Sequence, residues 1–163
     1  MEEKERGNSY MYIESVIHQL RFSVDSVIHM IDCLSDDDLQ YRPMVTKKSI
    51  GELVQHLCEL ITADLLISSG ATKIEMDEFY DTVKCHTIVD LKDLLLNGIE
   101  RLIQTYELYN EEDLMQKKSS YWGVEYTRFE WMLEILVHFT HHRAQLHTLI
   151  VLKNGDMHVS LFE

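Results

Sequence analysis

The sequence predicts an all-α chain: a four-helix bundle with a small hairpin before its last helix. Three observations carry that expectation. One proline, Pro43, and six glycines in 163 residues leave few helix breakers. Four long stretches repeat apolar residues three and four apart. Three of those stretches open on Ser or Thr with an acidic residue three positions later, the pairing that caps a helix start: Ser49 with Glu52, Thr87 with Asp90, and Thr127 with Glu130.

The first helix is expected over residues 8 to about 34, where Ile13, Val16, Ile17, Leu20, Val24, Val27, Ile28, Ile31 and Leu34 keep one face apolar. Its opposite edge brings His18, Phe22 and His29 together, and an apolar ring on a polar face marks a candidate two-fold contact for a homodimer. Residues 35–39 form a short helical turn that Pro43 closes off. The second helix runs from Ser49 to about Ser69 and stops at Gly70, with Ile50, Leu53, Leu57, Leu60, Ile61 and Ile67 as its apolar face. His56 lies at the edge of that face and can look into the bundle. Asp64 also falls on it, about 12 Å beyond His56, too far for both to hold one ion, so it reads as a paired structural carboxylate.

Residues 71–86 read as a polar connection with a short helical turn near residues 77–80. The third helix follows, from Thr87 to about Tyr109. Glu111 to Met115 adds a turn. The run KKSSYWGVEY, residues 117–126, has the aromatic and β-branched residues and the glycine of a hairpin. The last helix, Thr127 to Lys153, ends at Asn154-Gly155, and its apolar stripe is expected at Trp131, Ile135, His138, His142, Leu146 and Leu149. No repeat, low-complexity tract or domain boundary interrupts the chain, so residues 1–163 read as a single domain, long enough to bury about 70% of its unfolded surface.

Composition removes several classes of function. A formal charge of −13 with no basic patch repels phosphate backbones, which argues against nucleic acid as a partner. No segment approaches the roughly 18 consecutive apolar residues of a membrane span, and MEEKERGNSY has no apolar signal-peptide core. Cys33, Cys58 and Cys85 are odd in number, widely spaced and form no CxxC, which points to a reducing compartment. The expectation is a soluble, cytoplasmic protein that contacts neither membrane nor nucleic acid.

His138 and His142 are four residues apart on the apolar stripe, so their rings stack one turn apart, near enough to share one metal ion. Core histidines satisfied by polar neighbours would give the same pattern. With His56 there are three inward-facing histidines on two helices, and three neutral imidazoles fill three corners of a tetrahedron while leaving the fourth open. His141 points to the side, beside Glu134 and Gln145. Arg143 lies off the stripe, where a surface salt bridge is the first expectation. Glu134 and Glu52 each stand one turn before a histidine, and Glu134 is favoured as the group that fixes a ring's tautomer, since Glu52 also caps Ser49.

The motifs SIGELVQHL (residues 49–57) and HFTHHRAQL (residues 138–146) resemble the second-helix histidine motif and the HxxxHRGQ motif of the DinB/YfiT-like family of metal-binding four-helix bundles. The resemblance spans nearly the whole chain. It implies His56, His138 and His142 as ligands of one divalent ion, zinc or nickel. It also implies a small-molecule partner, because characterised relatives look like transferases of low-molecular-weight thiols such as bacillithiol, with hydrolases and isomerases among other members. One departure is Ala144 in place of the glycine common in the motif. A ferritin-like di-iron centre is excluded, because it needs two Glu-x-x-His motifs and the chain contains none. A helical module that keeps its metal for stability or dimerises without catalysis is the remaining class. Tyr121, Trp122 and Tyr126 of the hairpin are candidates to wall the open side.

Overall fold

The computed structural model describes residues 2–163, with side chains described from residue 10 onward. The elements follow in the order α1 (Glu2–Asp32), α2 (Asp36–Leu39), α3 (Ile50–Ser68), α4 (Lys73–Thr82), α5 (Ile88–Glu107), α6 (Glu111–Met115), β1 (Lys117–Ser119), β2 (Glu125–Thr127) and α7 (Arg128–Asn154). The four long helices α1, α3, α5 and α7 make the expected bundle. Both α1 and α3 pack against α5 and α7, so α1 and α3 lie diagonally opposite and the α3–α7 seam is one of four side walls. Leu20, Val27 and Met30 meet Leu57, Ile61, Leu95, Leu102, Ile135, Phe139 and Leu146 in a core from which water is excluded. Each such side chain contributes about 1.5–3 kcal/mol over leaving it exposed.

Local signals set the helix ends. Ser49 Oγ accepts from the Glu52 N–H at 3.1 Å while Glu52 returns a bond to the Ser49 N–H at 2.9 Å, which fixes where α3 begins and hence the direction in which His56 points. Gly70, with φ of 100°, takes the left-handed turn that ends α3. Gly98 lets α5 press against α3, since a Cβ there would stand 2.8 Å from Thr62 Oγ1.

Five local expectations are corrected. Helix α1 begins earlier than residue 8. The connection after α3 holds a full helix, α4, because Thr72 and Glu75 form a capping box that starts it. At the start of α7 only half of the expected box forms: Thr127 Oγ1 accepts from the Glu130 N–H at 3.1 Å, while Thr127 is also the last residue of β2, in register with Lys117. The buried stripe of α7 runs through Trp131, Met132, Ile135, Phe139, Arg143, Leu146 and Ile150, one residue round from the expected line. His138, His142 and Leu149 therefore sit half-buried at its margin, and Arg143 is inside. Its guanidinium donates to the Leu161 carbonyl at 2.9 Å and to Ser26 Oγ at 3.3 Å, under Phe162, in place of a surface salt bridge. The long apolar stem of arginine is what lets it occupy a core position.

The hairpin is where the sequence placed it. β1 and β2 pair antiparallel, and Trp131 Nε1 donates to the Lys118 carbonyl at 2.9 Å, seating the hairpin on α7. Together with α4 it closes a smaller core of Ala63, Ile67, Met76 and Trp131. On α1, His18 and His29 are exposed and Phe22 is half-buried. The three cysteines are free, and no described helix is long and apolar enough to cross a membrane.

Candidate metal centre

Helices α3 and α7 run antiparallel along their seam, so His56 meets His142 while Asp64, two turns further on, meets His138. The fold brings the three histidines together: one ring nitrogen from each of His56, His138 and His142 falls within 4.8 Å of the others. The ring centroids of His56 and His142 are 4.5 Å apart, those of His138 and His142 4.9 Å, and those of His56 and His138 5.7 Å. All three are half-buried.

The outer nitrogens decide what the inner ones can do. Asp64 Oδ2 lies 2.8 Å from His138 Nδ1, and an ionised carboxylate only accepts, so His138 donates from Nδ1 and a neutral ring carries its lone pair on Nε2. Gln145 treats His142 in the same way: its Oε1 stands 2.8 Å from His142 Nδ1, while its amide nitrogen faces His141 Nε2 at 2.9 Å. With both rings neutral, two Nε2 lone pairs confront each other at 3.2 Å. Two bare acceptors repel at that distance unless a cation lies between them. Ligand nitrogens around a tetrahedral zinc with bonds of 2.0–2.1 Å are separated by roughly 3.3 Å, so the spacing already fits an ion.

Charge points the same way. Asp64 and Glu59 are each only 14% exposed, and their only described ion-pair partners are histidines, His138 at 2.8 Å and His56 Nδ1 at 3.7 Å. Two half-buried carboxylates beside neutral imidazoles leave negative charge that a divalent cation would offset. The Asp64 hydrogen bond, partly opposed by desolvation, raises the pKa of His138, whereas desolvation lowers that of His142. A proton at the centre therefore settles on His138 and occupies the place where an ion would sit. Tyr80 of α4, half-exposed, has its phenol pushed up to about 12 by burial and by the charges of Asp64 and Glu59, so it stays a hydroxyl donor on that side.

The candidates for second-rank roles divide. Glu134 makes no described hydrogen bond to a histidine; Asp64 and Gln145 hold the rings instead, and Glu52 is bound to Arg42 and to the Ser49 cap. Tyr126 packs on Trp131, with ring centroids 5.1 Å apart, so it belongs to the small core, while Tyr121 and Trp122 stay exposed at the hairpin tip. Glu59 escaped the sequence reading, although its place three residues after His56, on the same side of α3, is the signal that would have found it.

A model of the DinB superfamily matches residues 19–146. Among solved structures, a DinB-family protein of Exiguobacterium sibiricum superposes with a TM-score of 0.81 at 29% identity, covering 93% of this chain and 97% of its own. A DinB-like protein of Bacillus cereus gives 0.73 at 16% identity, covering 92% and 97%, and another of Bacillus subtilis gives 0.68 at 20%, covering 91% and 97%. No curated protein matches the chain.

Proposed function

The chain belongs to the DinB superfamily, and from that premise we propose that it is a metal-dependent enzyme transferring a low-molecular-weight thiol to a small electrophile. The observation that carries the metal reading is the facing pair of Nε2 atoms of His138 and His142, 3.2 Å apart with both Nδ1 atoms engaged. His56, His138 and His142 would hold the ion. Zinc or nickel suits this set, since neutral imidazoles bind either and a thiolate cage is not on offer. A divalent ion there would supply Lewis-acid chemistry, lowering the pKa of a thiol that approaches its open position so that the thiolate prevails at neutral pH.

The protein's own groups do the rest. Asp64 and Gln145 hold two rings in the ligating tautomer, and Glu59 borders the third. Among the described residues the cluster supplies three donors, which leaves a place for a ligand from outside and favours chemistry over a closed structural site. In the net reaction a C–S bond forms, the bond from that carbon to its leaving group breaks, and the thiol proton passes to solvent.

The test is a screen of zinc- and nickel-loaded protein with bacillithiol, glutathione and cysteine against a chloronitroarene. At least one thiol should react faster with loaded protein than with metal-free protein or with His138→Ala. Equal rates across the screen would remove thiol transfer, and turnover of an ester without any thiol would mark water as the nucleophile instead.

A further inference from the structure

Next to the histidines on the α3–α7 seam lies a groove of about 730 Å³, a volume that suits a small organic molecule. Leu53, Ala144, Leu149 and Leu152 give it an apolar lining. Lys47, Lys48, His141 and Gln145 supply its charged and polar lining. Gln145 is the side chain whose Oε1 meets His142 Nδ1, so groove and histidine centre share a wall.

The loop holding the two lysines is tied down. The Lys47 N–H donates to the Met44 carbonyl at 3.0 Å, the Ile50 N–H to the Tyr41 carbonyl at 3.0 Å, and Arg42 donates both to the Lys47 carbonyl and to Glu52. Arg42 thus occupies the carboxylate whose charge Lys48 feels. Neither Lys47 nor Lys48 takes part in a described ion pair, whereas Lys73, Lys92 and Lys117 each hold a carboxylate. Two adjacent exposed ammonium groups outside any described ion pair place positive charge beside the groove, in a chain with 28 acidic residues against 15 basic ones.

We propose that this groove binds a small organic anion, with an apolar body on Leu53, Ala144 and Leu149 and a carboxylate against Lys47 and Lys48. The anion-binding groove stands independently of the transferase reading.

Amide spectra of the protein during titration with 4-phenylbutyrate, and separately with uncharged 4-phenylbutanol, test it. The acid should give saturable shifts confined to residues 43–53 and 141–152 and bind at least tenfold more tightly than the alcohol. Lys47→Glu with Lys48→Glu should remove that tenfold advantage and leave the alcohol unchanged, and Ala144→Phe, an exposed position, should weaken both. Both titrations use protein stripped of metal with a chelator, so failure of the metal centre and failure of the groove read out separately. Shifts elsewhere, no saturation, or an affinity for the acid indifferent to the two charge reversals would overturn the proposal.

Discussion

Asp64 Oδ2 stands 2.8 Å from Nδ1 of His138, so a carboxylate on α3 decides which nitrogen of a ring on α7 faces the centre. Removing it frees the ring to rotate and to carry its proton on the wrong nitrogen. Asp64→Ala should weaken zinc binding by 10- to 100-fold in competition with a chelator, the usual cost of losing such a partner. Glu134→Ala should leave it unchanged, and the reverse ranking would return the role to Glu134. The sign with pH follows from the same bond: Asp64 raises the pKa of His138, so protons compete with the ion from a higher pH than at an ordinary imidazole. Binding by wild type should strengthen as pH rises through that value, and in Asp64→Ala the dependence should move to lower pH.

Asp38 ties α2 to the end of α7. Its carboxylate accepts from the Ser35 N–H and hydroxyl at 2.8 and 2.7 Å and from Asn154 Nδ2 at 3.0 Å, with Lys153 at 3.4 Å. These bonds, the Ser35 backbone first, hold its pKa far below the ordinary 3.8. A depressed folded value means stability that is complete above 3.8 and lost as pH falls from there through the folded value. Asp38→Ala should cost about 1–2 kcal/mol at pH 7 in urea unfolding, from the lost cap and tether. The gap to wild type should narrow by pH 2.5. An equal gap at both pH values would show that the charge contributes nothing.

Gly98 sits where α5 crosses α3, and an added Cβ would meet Thr62 Oγ1 at 2.8 Å. Gly98→Ala alone should destabilise by about 1–2 kcal/mol through overpacking. In a Thr62→Ala background the clash is gone and the helix propensity of alanine remains, so the same change should stabilise by up to about 1 kcal/mol. Additive effects in this double-mutant cycle would mean that the two helices do not meet at this pair.

The bundle was legible because its signals are local and repeated. Capping pairs at Ser49, Thr87 and Thr127 and apolar spacing in four stretches each survive an error elsewhere. The Thr72 and Glu75 pair, a local signal of the same kind, starts α4 several residues ahead of the expected turn. The pairing of His138 with His142 was legible from their spacing on one helix, and His56 joined them through its place at the edge of an apolar face and the motif resemblance. Their outer partners were less so: Asp64 lies two turns from His56 along its own helix, and only the antiparallel packing of α3 on α7 carries it to His138. Arg143 misled for a related reason. Charge placed it at the surface, but inside the fold its two terminal nitrogens find the Leu161 carbonyl, 18 residues on, and the Ser26 hydroxyl, 117 residues back, while Nε has no described partner.

The most direct measurement is the metal content of purified wild type, His142→Ala and His147→Ala after equilibration with zinc and, separately, with nickel. Wild type and His147→Ala should each hold one ion per chain, and His142→Ala should lose most of it. Equal metal content in the two variants, or none in wild type, would contradict the assignment of His56, His138 and His142 as the centre.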